Sequence, residues 1–209
     1  MALRIGIDLG GSKIEGVVLR LAEAGHTGPP EVLCRKRIPT ERSLGYQHIL
    51  DAVAGLIVDV ARDAGLPTHA AELPPIGVGM PGSVTRSRRT VKNSNTTCLN
   101  GQPFREDLIA RVGRPIAFSN DANCFALSEA RDGAGQGARV VFGVILGTGV
   151  GGGLVIDGRL INADAADMLA EALRIEIGDS VCQDIPKDLL QRQIIGDKRG
   201  QFTNIYLNA

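Results

Sequence analysis

Hydrophobic and polar residues alternate through much of the first 40 residues, which is the spacing typical of β-strands. The alternation predicts strands at Arg4–Leu9, Ile14–Leu21 and Val32–Ile38. A glycine-rich turn joins the first two strands, and the third extends them into a meander. An antiparallel start to a larger sheet is therefore expected.

The spacing changes to that of an amphipathic helix between Leu44 and Ala64. Thr40 or Ser43 could cap the start of this helix, and Gly65 would end it. The apolar residues that share one helical face are Ile49, Val53, Leu56, Ile57, Val60 and Ala64. This face predicts a helix that packs on the sheet.

Shorter apolar runs and helical patterns alternate along the rest of the chain, which predicts an α/β protein with a mixed sheet. The expected strands are Pro75–Met80, Ile116–Ser119, Val140–Leu146 and Gly153–Ile156, and the expected helices are Pro103–Val112, Asp121–Asp132, Ala163–Ile177 and Pro186–Ile195. The last two strands form a second hairpin around a second glycine turn. This repeat indicates a second lobe that begins near residue 120.

Composition and charge narrow the class of partner. Basic and acidic residues are equal at 23 each, so no basic excess favours nucleic acid or a membrane surface. No apolar run approaches the roughly 18 residues of a membrane span, and the N-terminus leads directly into a strand. The four cysteines show no CxxC spacing, which favours free thiols in a reducing compartment. These features predict a cytoplasmic protein.

The first glycine turn, DLGGSK, is a candidate phosphate site. Gly10 and Gly11 permit positive φ and close approach of backbone N–H groups to an anion, while Ser12 and Lys13 add a hydroxyl and a charge. Asp8 ends a strand expected to be buried, where a carboxylate needs a metal, a metal-bound water or donors. A tight hairpin with an incidental lysine is the equally weighted alternative.

The second glycine turn, LGTGVGGG, is a stronger candidate for binding polyphosphate. Five glycines in seven residues carry a high entropic cost that a plain hairpin does not require. Thr148 adds a hydroxyl within this stretch. A strand rather than a helix is expected to follow, which argues against a dinucleotide-binding Rossmann turn.

Two amide-rich or acidic segments could act on a hydroxylated substrate. Asp121 in NDAN could accept a proton from an attacking hydroxyl, although a simple helix cap is the alternative at this position. The segment Lys92–Gly101 carries Asn93, Asn95 and Asn100, whose amides can both donate and accept hydrogen bonds to a polyol. An ordinary surface loop is the alternative for this segment.

Together these segments resemble the ROK family of sugar kinases and transcriptional repressors, and most closely its fructokinases (mannokinases) and N-acetylglucosamine kinases. The matching stretches are IGIDLGGSK, GVGMPGS, KNSNTTCLNGQPF, SNDANCFALSEA and GVILGTGVGGGLVIDGRL, in this order over residues 1–160. The resemblance implies an actin-like, ribonuclease H-like fold. It also implies transfer of the ATP γ-phosphoryl group to a hexose hydroxyl, usually the 6-hydroxyl, with Mg²⁺.

The resemblance assigns roles to individual residues. Asp121 would be the catalytic base, and Asp8 would hold Mg²⁺ through water. The implied ATP-binding residues are Asp8, Gly10, Gly11, Ser12, Lys13, Gly147, Thr148, Gly149, Gly151 and Gly152. The implied sugar-binding residues are Gly82, Ser83, Asn95, Asn100, Asn120 and Asp121.

The resemblance ends near residue 160. We therefore expect a complete N-terminal lobe over residues 1–118 and a partial second lobe over residues 119–209, divergent from residue 161. The family's structural zinc site is not expected, because no histidine follows residue 69 and Cys182 is the only late cysteine. A sugar kinase, perhaps-free of nucleic-acid or membrane partners and with a homodimer allowed, is the main hypothesis. An inactive sugar- or nucleotide-binding fragment and a ROK-type regulator are the alternatives.

Overall fold

The computed structural model describes residues 2–21, 30–85, 88–146 and 150–161. The chain divides into two compact units with the boundary between Asn120 and Asp121. The strands of the first unit are β1 (Ala2–Leu9), β2 (Lys13–Leu21), β3 (Glu31–Pro39), β4 (Ile76–Met80), β5 (Ser83–Val84), β6 (Val91–Lys92) and β7 (Ile116–Asn120). Its α-helices are α1 (Tyr46–Asp63) and α2 (Phe104–Val112), and Arg42–Leu44 and Thr97–Leu99 form single 3₁₀ turns.

The first unit is built on a five-stranded mixed sheet in the order β3-β2-β1-β4-β7. Strands β1, β2 and β3 are antiparallel neighbours, whereas β1, β4 and β7 run parallel. Asp8 pairs with Gly79, and Met80 pairs with Asn120, so the three parallel strands end at the same edge of the sheet. Ligands of open α/β sheets commonly bind outside this carboxyl edge.

Helix α1 packs closely on the antiparallel part of the sheet. Its buried face includes Ile49, Val53 and Val60, as the helical spacing predicted. A methyl group on Gly16 of β2 would lie only 2.9 Å from Val60 Cγ1, so glycine allows the close approach of helix and strand. Few aromatic residues contribute to the core; Phe104 makes edge-to-face contacts with Tyr46 and Phe118.

The second unit contains α3 (Asp121–Arg131) and the strands β8 (Val140–Leu146), β9 (Val150–Ile156) and β10 (Arg159–Leu160). Strands β8 and β9 form the predicted hairpin, with pairs from Val140–Ile156 to Leu146–Val150. Helix α3 covers the hairpin through a small core of Ala126, Val141 and Val155. The predicted helices Ala163–Ile177 and Pro186–Ile195 lie outside the described residues.

One predicted helix cap is wrong. Gly45 precedes α1 and makes no side-chain cap, so neither Thr40 nor Ser43 caps this helix. Thr40 is fully buried, and its hydroxyl instead donates a hydrogen bond of 2.7 Å to the Gly10 carbonyl. The helix begins two residues after the predicted Leu44, because the chain first makes the 3₁₀ turn. Within the described ranges, no helix is long and apolar enough to cross a membrane.

Candidate functional site

The carboxyl edge of the parallel strands brings three candidate segments together in the first unit. The first glycine turn follows β1, the Pro81–Gly82 turn follows β4, and Asn120 ends β7. These segments are far apart in sequence, and the parallel order β1-β4-β7 makes them neighbours. The amide-rich loop after β6 also reaches this edge, as its contacts with Gly11 show.

Hydrogen bonds from within and outside the hairpin fix the backbone of the first glycine turn. The Gly10 N–H donates to the Lys13 carbonyl at 2.9 Å. The Thr40 N–H donates to the Ser12 carbonyl at 3.0 Å, and the Thr40 hydroxyl donates to the Gly10 carbonyl. Thr40 therefore holds both sides of the turn from the end of β3.

The reason predicted for the two glycines is wrong, because neither Gly10 nor Gly11 lies in the left-handed φ region. A methyl group on Gly10 would lie 2.9 Å from the Lys13 carbonyl oxygen, so the tight hairpin itself requires glycine there. A methyl group on Gly11 would meet only ordinary contacts, at 3.7 Å from Asn95 Oδ1, 3.8 Å from Thr96 Oγ1 and 4.0 Å from Arg42 Nη1. The fold leaves room at Gly11, and polar groups surround that room.

Asp8 differs from its predicted environment. The sequence predicted a buried carboxylate, but Asp8 is exposed at the end of β1, because its side chain points away from the buried face that carries Ile7 and Leu9. A solvated carboxylate oxygen is a ligand that Mg²⁺ accepts together with water. No group of three or more metal-binding side chains occurs among the described residues. Asp8 thus fits a water-rich Mg²⁺ site with few protein ligands.

The Pro81–Gly82 turn and Asn120 form one connected structure. Gly82 has φ of 84°, and a methyl group there would lie 2.4 Å from the Lys92 carbonyl oxygen. Asn120 Nδ2 donates a hydrogen bond of 2.9 Å to the Gly82 carbonyl. Ser83 follows in β5 and pairs with Lys92. Three of the predicted sugar-side residues are therefore brought together.

The amides of the loop after β6 divide into a structural pair and an outward-facing member. Asn100 Oδ1 accepts a bond of 2.9 Å from the Ser94 N–H, and Asn100 Nδ2 donates one of 3.0 Å to the Ser94 carbonyl. Asn100 thereby fixes the loop. Asn95 lies beside Gly11, so the loop places a predicted sugar-side amide next to the predicted phosphate turn.

In the second unit, the start of α3 packs against the glycine-rich strand β9. Asp121 Oδ1 accepts a hydrogen bond of 2.8 Å from the Ala122 N–H. A methyl group on Gly151 would lie 3.0 Å from Ala122 Cβ, and one on Gly153 would lie 2.5 Å from the Ala122 carbonyl oxygen. These two glycines let the helix that begins at Asp121 approach the hairpin, which is a packing reason that the sequence argument lacked.

The remaining predicted residues of the second glycine turn are only partly described. Gly152 pairs with Val144 in the hairpin, whereas Gly147, Thr148 and Gly149 lie outside the described residues. Their proposed role in binding phosphate therefore stays a prediction.

Sequence reasoning missed three residues of this region. Thr40 was interpreted as a helix cap and Arg42 was not considered, although both stand in the segment that follows β3. Asn123 is buried one turn into α3, and its Oδ1 has no hydrogen-bond partner in the described part of the chain. The pattern NDAN could have signalled Asn123, because an asparagine on a helix face that is otherwise alanine-rich needs a polar partner.

Comparison with known proteins follows from this arrangement. The family model described as "ROK family" matches residues 4–166, which is most of the chain. The chain belongs to the ROK family. The resemblance predicted from the motifs is thereby confirmed.

Individual ROK relatives cover three quarters of this chain. An N-acetyl-D-glucosamine kinase of Escherichia coli is 40% identical over 156 residues, which is 75% of this chain and 47% of the relative. A ROK glucokinase of Streptomyces griseus, solved with glucose and AMPPNP, is 32% identical with a TM-score of 0.60, over 77% of this chain and 46% of that one. A polyphosphate/ATP-glucomannokinase of Arthrobacter sp. strain KM is 32% identical with a TM-score of 0.62, over 79% and 63%.

These similarities establish the fold as an α/β, actin-like ATPase fold of the ribonuclease H type, as predicted. The chain spans about half the length of the curated ROK relatives it matches. The relatives' names concern glucose-type hexoses, whereas the fructokinase form expected from the amide-rich loop is not among them.

Proposed function

We propose that this ROK chain takes part in ATP-dependent phosphorylation of a hexose, with Mg²⁺·ATP as phosphoryl donor. The observation that carries the proposal is the meeting of Gly11, Asn95 and Asn120 with the Gly82 turn at one sheet edge. A backbone turn open to an anion stands beside neutral amides suited to sugar hydroxyls. The ROK relatives named as sugar kinases support this interpretation.

Phosphoryl transfer would depend mainly on positioning and charge. The backbone N–H groups of the first glycine turn and Lys13 would bind phosphate oxygens, and Asp8 would hold Mg²⁺ through water. Glycines of the second turn, including Gly151 and Gly152, would bind further phosphate. The bound metal would neutralise charge that develops on the transferring group.

Asp121 would orient the attacking sugar hydroxyl and accept its proton. The transition state of phosphoryl transfer is loose, so a carboxylate that is only weakly basic is sufficient when it is well placed. Asp121 follows Asn120 directly in the chain, and Asn120 is held on the Gly82 turn. A catalytic carboxylate would thus stand next to a sugar-side amide by covalent connection.

The sugar is proposed to be a neutral hexose phosphorylated at its 6-hydroxyl. Glucose, mannose and N-acetylglucosamine are candidates from the relatives' names, and fructose is a candidate from the amide-rich loop. We place the reaction in the cytoplasm, where ATP is available. The thiols of Cys34 and Cys98 are not joined in disulfides, which agrees with a reducing compartment.

The test is a coupled assay of ADP release by the full chain with Mg²⁺·ATP and each of the four sugars. Replacing Asp121 by Asn should lower kcat by about a hundredfold or more, since it removes a general base but keeps the shape. Asp157→Asn is the matched control, because Asp157 is an exposed carboxylate in the β9–β10 turn of the same unit. Its kcat should be unchanged.

Two results would count against the proposal. Asp121→Asn with the same turnover as the unaltered chain would remove the catalytic role. A folded chain that binds sugar or nucleotide but releases no ADP with any sugar would instead favour a non-catalytic binding protein.

A further inference from the structure

We propose that Arg42 is a phosphate-binding residue of the first glycine turn, which thereby gains a second cation in addition to Lys13. The proposal depends on the proposed function only for the source of the phosphate, which is a nucleotide or a sugar phosphate. The structural observation is that Arg42 Nη1 would stand 4.0 Å from a methyl group built on Gly11.

The backbone before Arg42 is tied to the turn that Arg42 faces. Thr40 is fully buried and makes two hydrogen bonds to this turn, one from its N–H to the Ser12 carbonyl and one from its hydroxyl to the Gly10 carbonyl. Arg42 is separated from this anchor by a single residue. The position of its backbone is therefore set by the glycine turn.

The intervening residue, Glu41, adopts an uncommon conformation. Its φ of 47° and ψ of 46° lie in the left-handed region, which a non-glycine residue occupies at a cost of about 1–3 kcal/mol. Glu41 Oε2 lies 3.1 Å from His48 Nε2 of α1, so its side chain is directed to the helix. The reversal of the chain at Glu41 begins the 3₁₀ turn that carries Arg42.

The charge of Arg42 is not neutralised by a carboxylate within the described residues. Other arginines of the same unit do meet carboxylates: Arg20 pairs with Glu31, Arg37 with Glu15 and Arg111 with Asp51. The neighbours of Arg42 at Gly11 are instead the neutral oxygens of Asn95 and Thr96. An unpaired guanidinium keeps its donors available for an anion, and its planar fork suits phosphate oxygens.

The space over Gly11 can accept such an anion. A methyl group there would meet no protein atom closer than 3.7 Å, so folding does not require this glycine. A phosphate oxygen in that space would be within a short movement of the exposed Arg42 side chain, given charge-assisted bonds of about 2.7–2.9 Å. Backbone N–H groups and one guanidinium would then bind the same group.

The test measures binding to the full chain by calorimetry, using ATP, ADP, tripolyphosphate and glucose 6-phosphate as probes. Arg42→Gln should weaken binding of at least one phosphate probe roughly tenfold, the loss expected for a hydrogen bond to a charged group. Arg42→Lys should recover part of that loss as a point charge. Arg4→Gln is the matched control, because Arg4 is exposed at the opposite end of β1 and contacts only the Leu3 carbonyl.

The outcomes separate this proposal from the proposed function. Weaker binding of ATP, ADP and tripolyphosphate identifies a nucleotide phosphate, and weaker binding of glucose 6-phosphate alone identifies the product; either supports the role of Arg42. Binding that Arg42→Gln and Arg4→Gln leave equal overturns this role while leaving the kinase proposal intact. Absence of all phosphate binding by the unaltered chain overturns both proposals. Binding that depends on Arg42 without any ADP release would retain the role and reject only the kinase.

Discussion

Single glycines in this ROK chain serve different purposes that their letters do not reveal. Gly82 is required by the backbone, because its φ is positive and a methyl group would contact the Lys92 carbonyl. Gly11 meets no such constraint. Gly55 lies on the exposed face of α1 with open space around its α-carbon. Substitution to alanine should separate these cases.

Gly82→Ala should destabilise the chain by about 1–3 kcal/mol from backbone strain alone, with the contact at the Lys92 carbonyl adding to the loss. Urea unfolding followed by circular dichroism would measure the change in the free energy of unfolding. Gly55→Ala should instead raise stability by about 0.5–1 kcal/mol, because alanine is the better helix former. Equal stability of the two variants would contradict the assignment of Gly82.

Thr40→Val tests the residue that anchors the first glycine turn. Valine keeps the volume but leaves the buried Gly10 carbonyl without its donor, so we expect a loss of about 1–3 kcal/mol in the free energy of unfolding. Thr40→Ser keeps a hydroxyl and should retain most of the stability. If valine and serine behave alike, the hydrogen bond of 2.7 Å is not what holds the turn.

At the scale of elements, an ion-pair cluster joins the edge strand β3 to α1. Lys36 Nζ lies 3.1 Å from Asp59 Oδ2 and 3.2 Å from Asp63 Oδ2. The hydrogen bond from Lys36 holds the pKa of Asp59 below its ordinary value of 3.8. The hydrogen bonds to Asp59 and then Asp63 raise the pKa of Lys36 above its ordinary value of 10.5.

The directions of these pKa shifts predict how the cluster depends on pH. A lowered carboxylate pKa contributes stability that is present above the unfolded value of 3.8 and is lost as pH falls through the folded value. A raised lysine pKa contributes stability below 10.5 that is lost as pH rises further. Lys36→Met should therefore be less stable than the unaltered chain near neutral pH, and the difference should shrink in acid. A thermal melting series over pH would show it, and a difference that stays constant in acid would contradict it.

The elements were largely predictable from sequence, whereas their mutual contacts were not. The periodicity located α1, α2, α3 and the strands of both hairpins to within a few residues, because long apolar patterns depend on local spacing. Periodicity carries no information on which strand ends share a sheet edge. The meeting of Asn95 with Gly11 follows from tertiary packing, as does the exposure of Asp8.

The second glycine-rich segment shows the same limit. Its glycines were attributed to ligand binding alone, because sequence cannot show that Ala122 of α3 would collide with larger residues at 151 and 153. Packing and binding can both select glycine at one position. The segment LGTGVGGG therefore supports a phosphate site less strongly than its composition indicated.

For the whole molecule, the first unit already contains most of the residues proposed to bind phosphate and sugar, and the second contributes Asp121 and the second glycine turn. The chain spans about half the length of its curated ROK relatives. Binding and turnover can therefore be measured as separate properties of this chain. The calorimetric test of Arg42 addresses the first property, and the ADP-release test of Asp121 addresses the second.

The open space at Gly11 has a consequence for inherited variation. An alanine there would meet only ordinary contacts, so the protein would fold and escape the chaperones and proteases that remove damaged chains. Cells would hold a normal amount of a protein with an obstructed phosphate turn. A survey of variants by abundance would score this substitution as harmless, and only a screen for growth on the sugar would detect it.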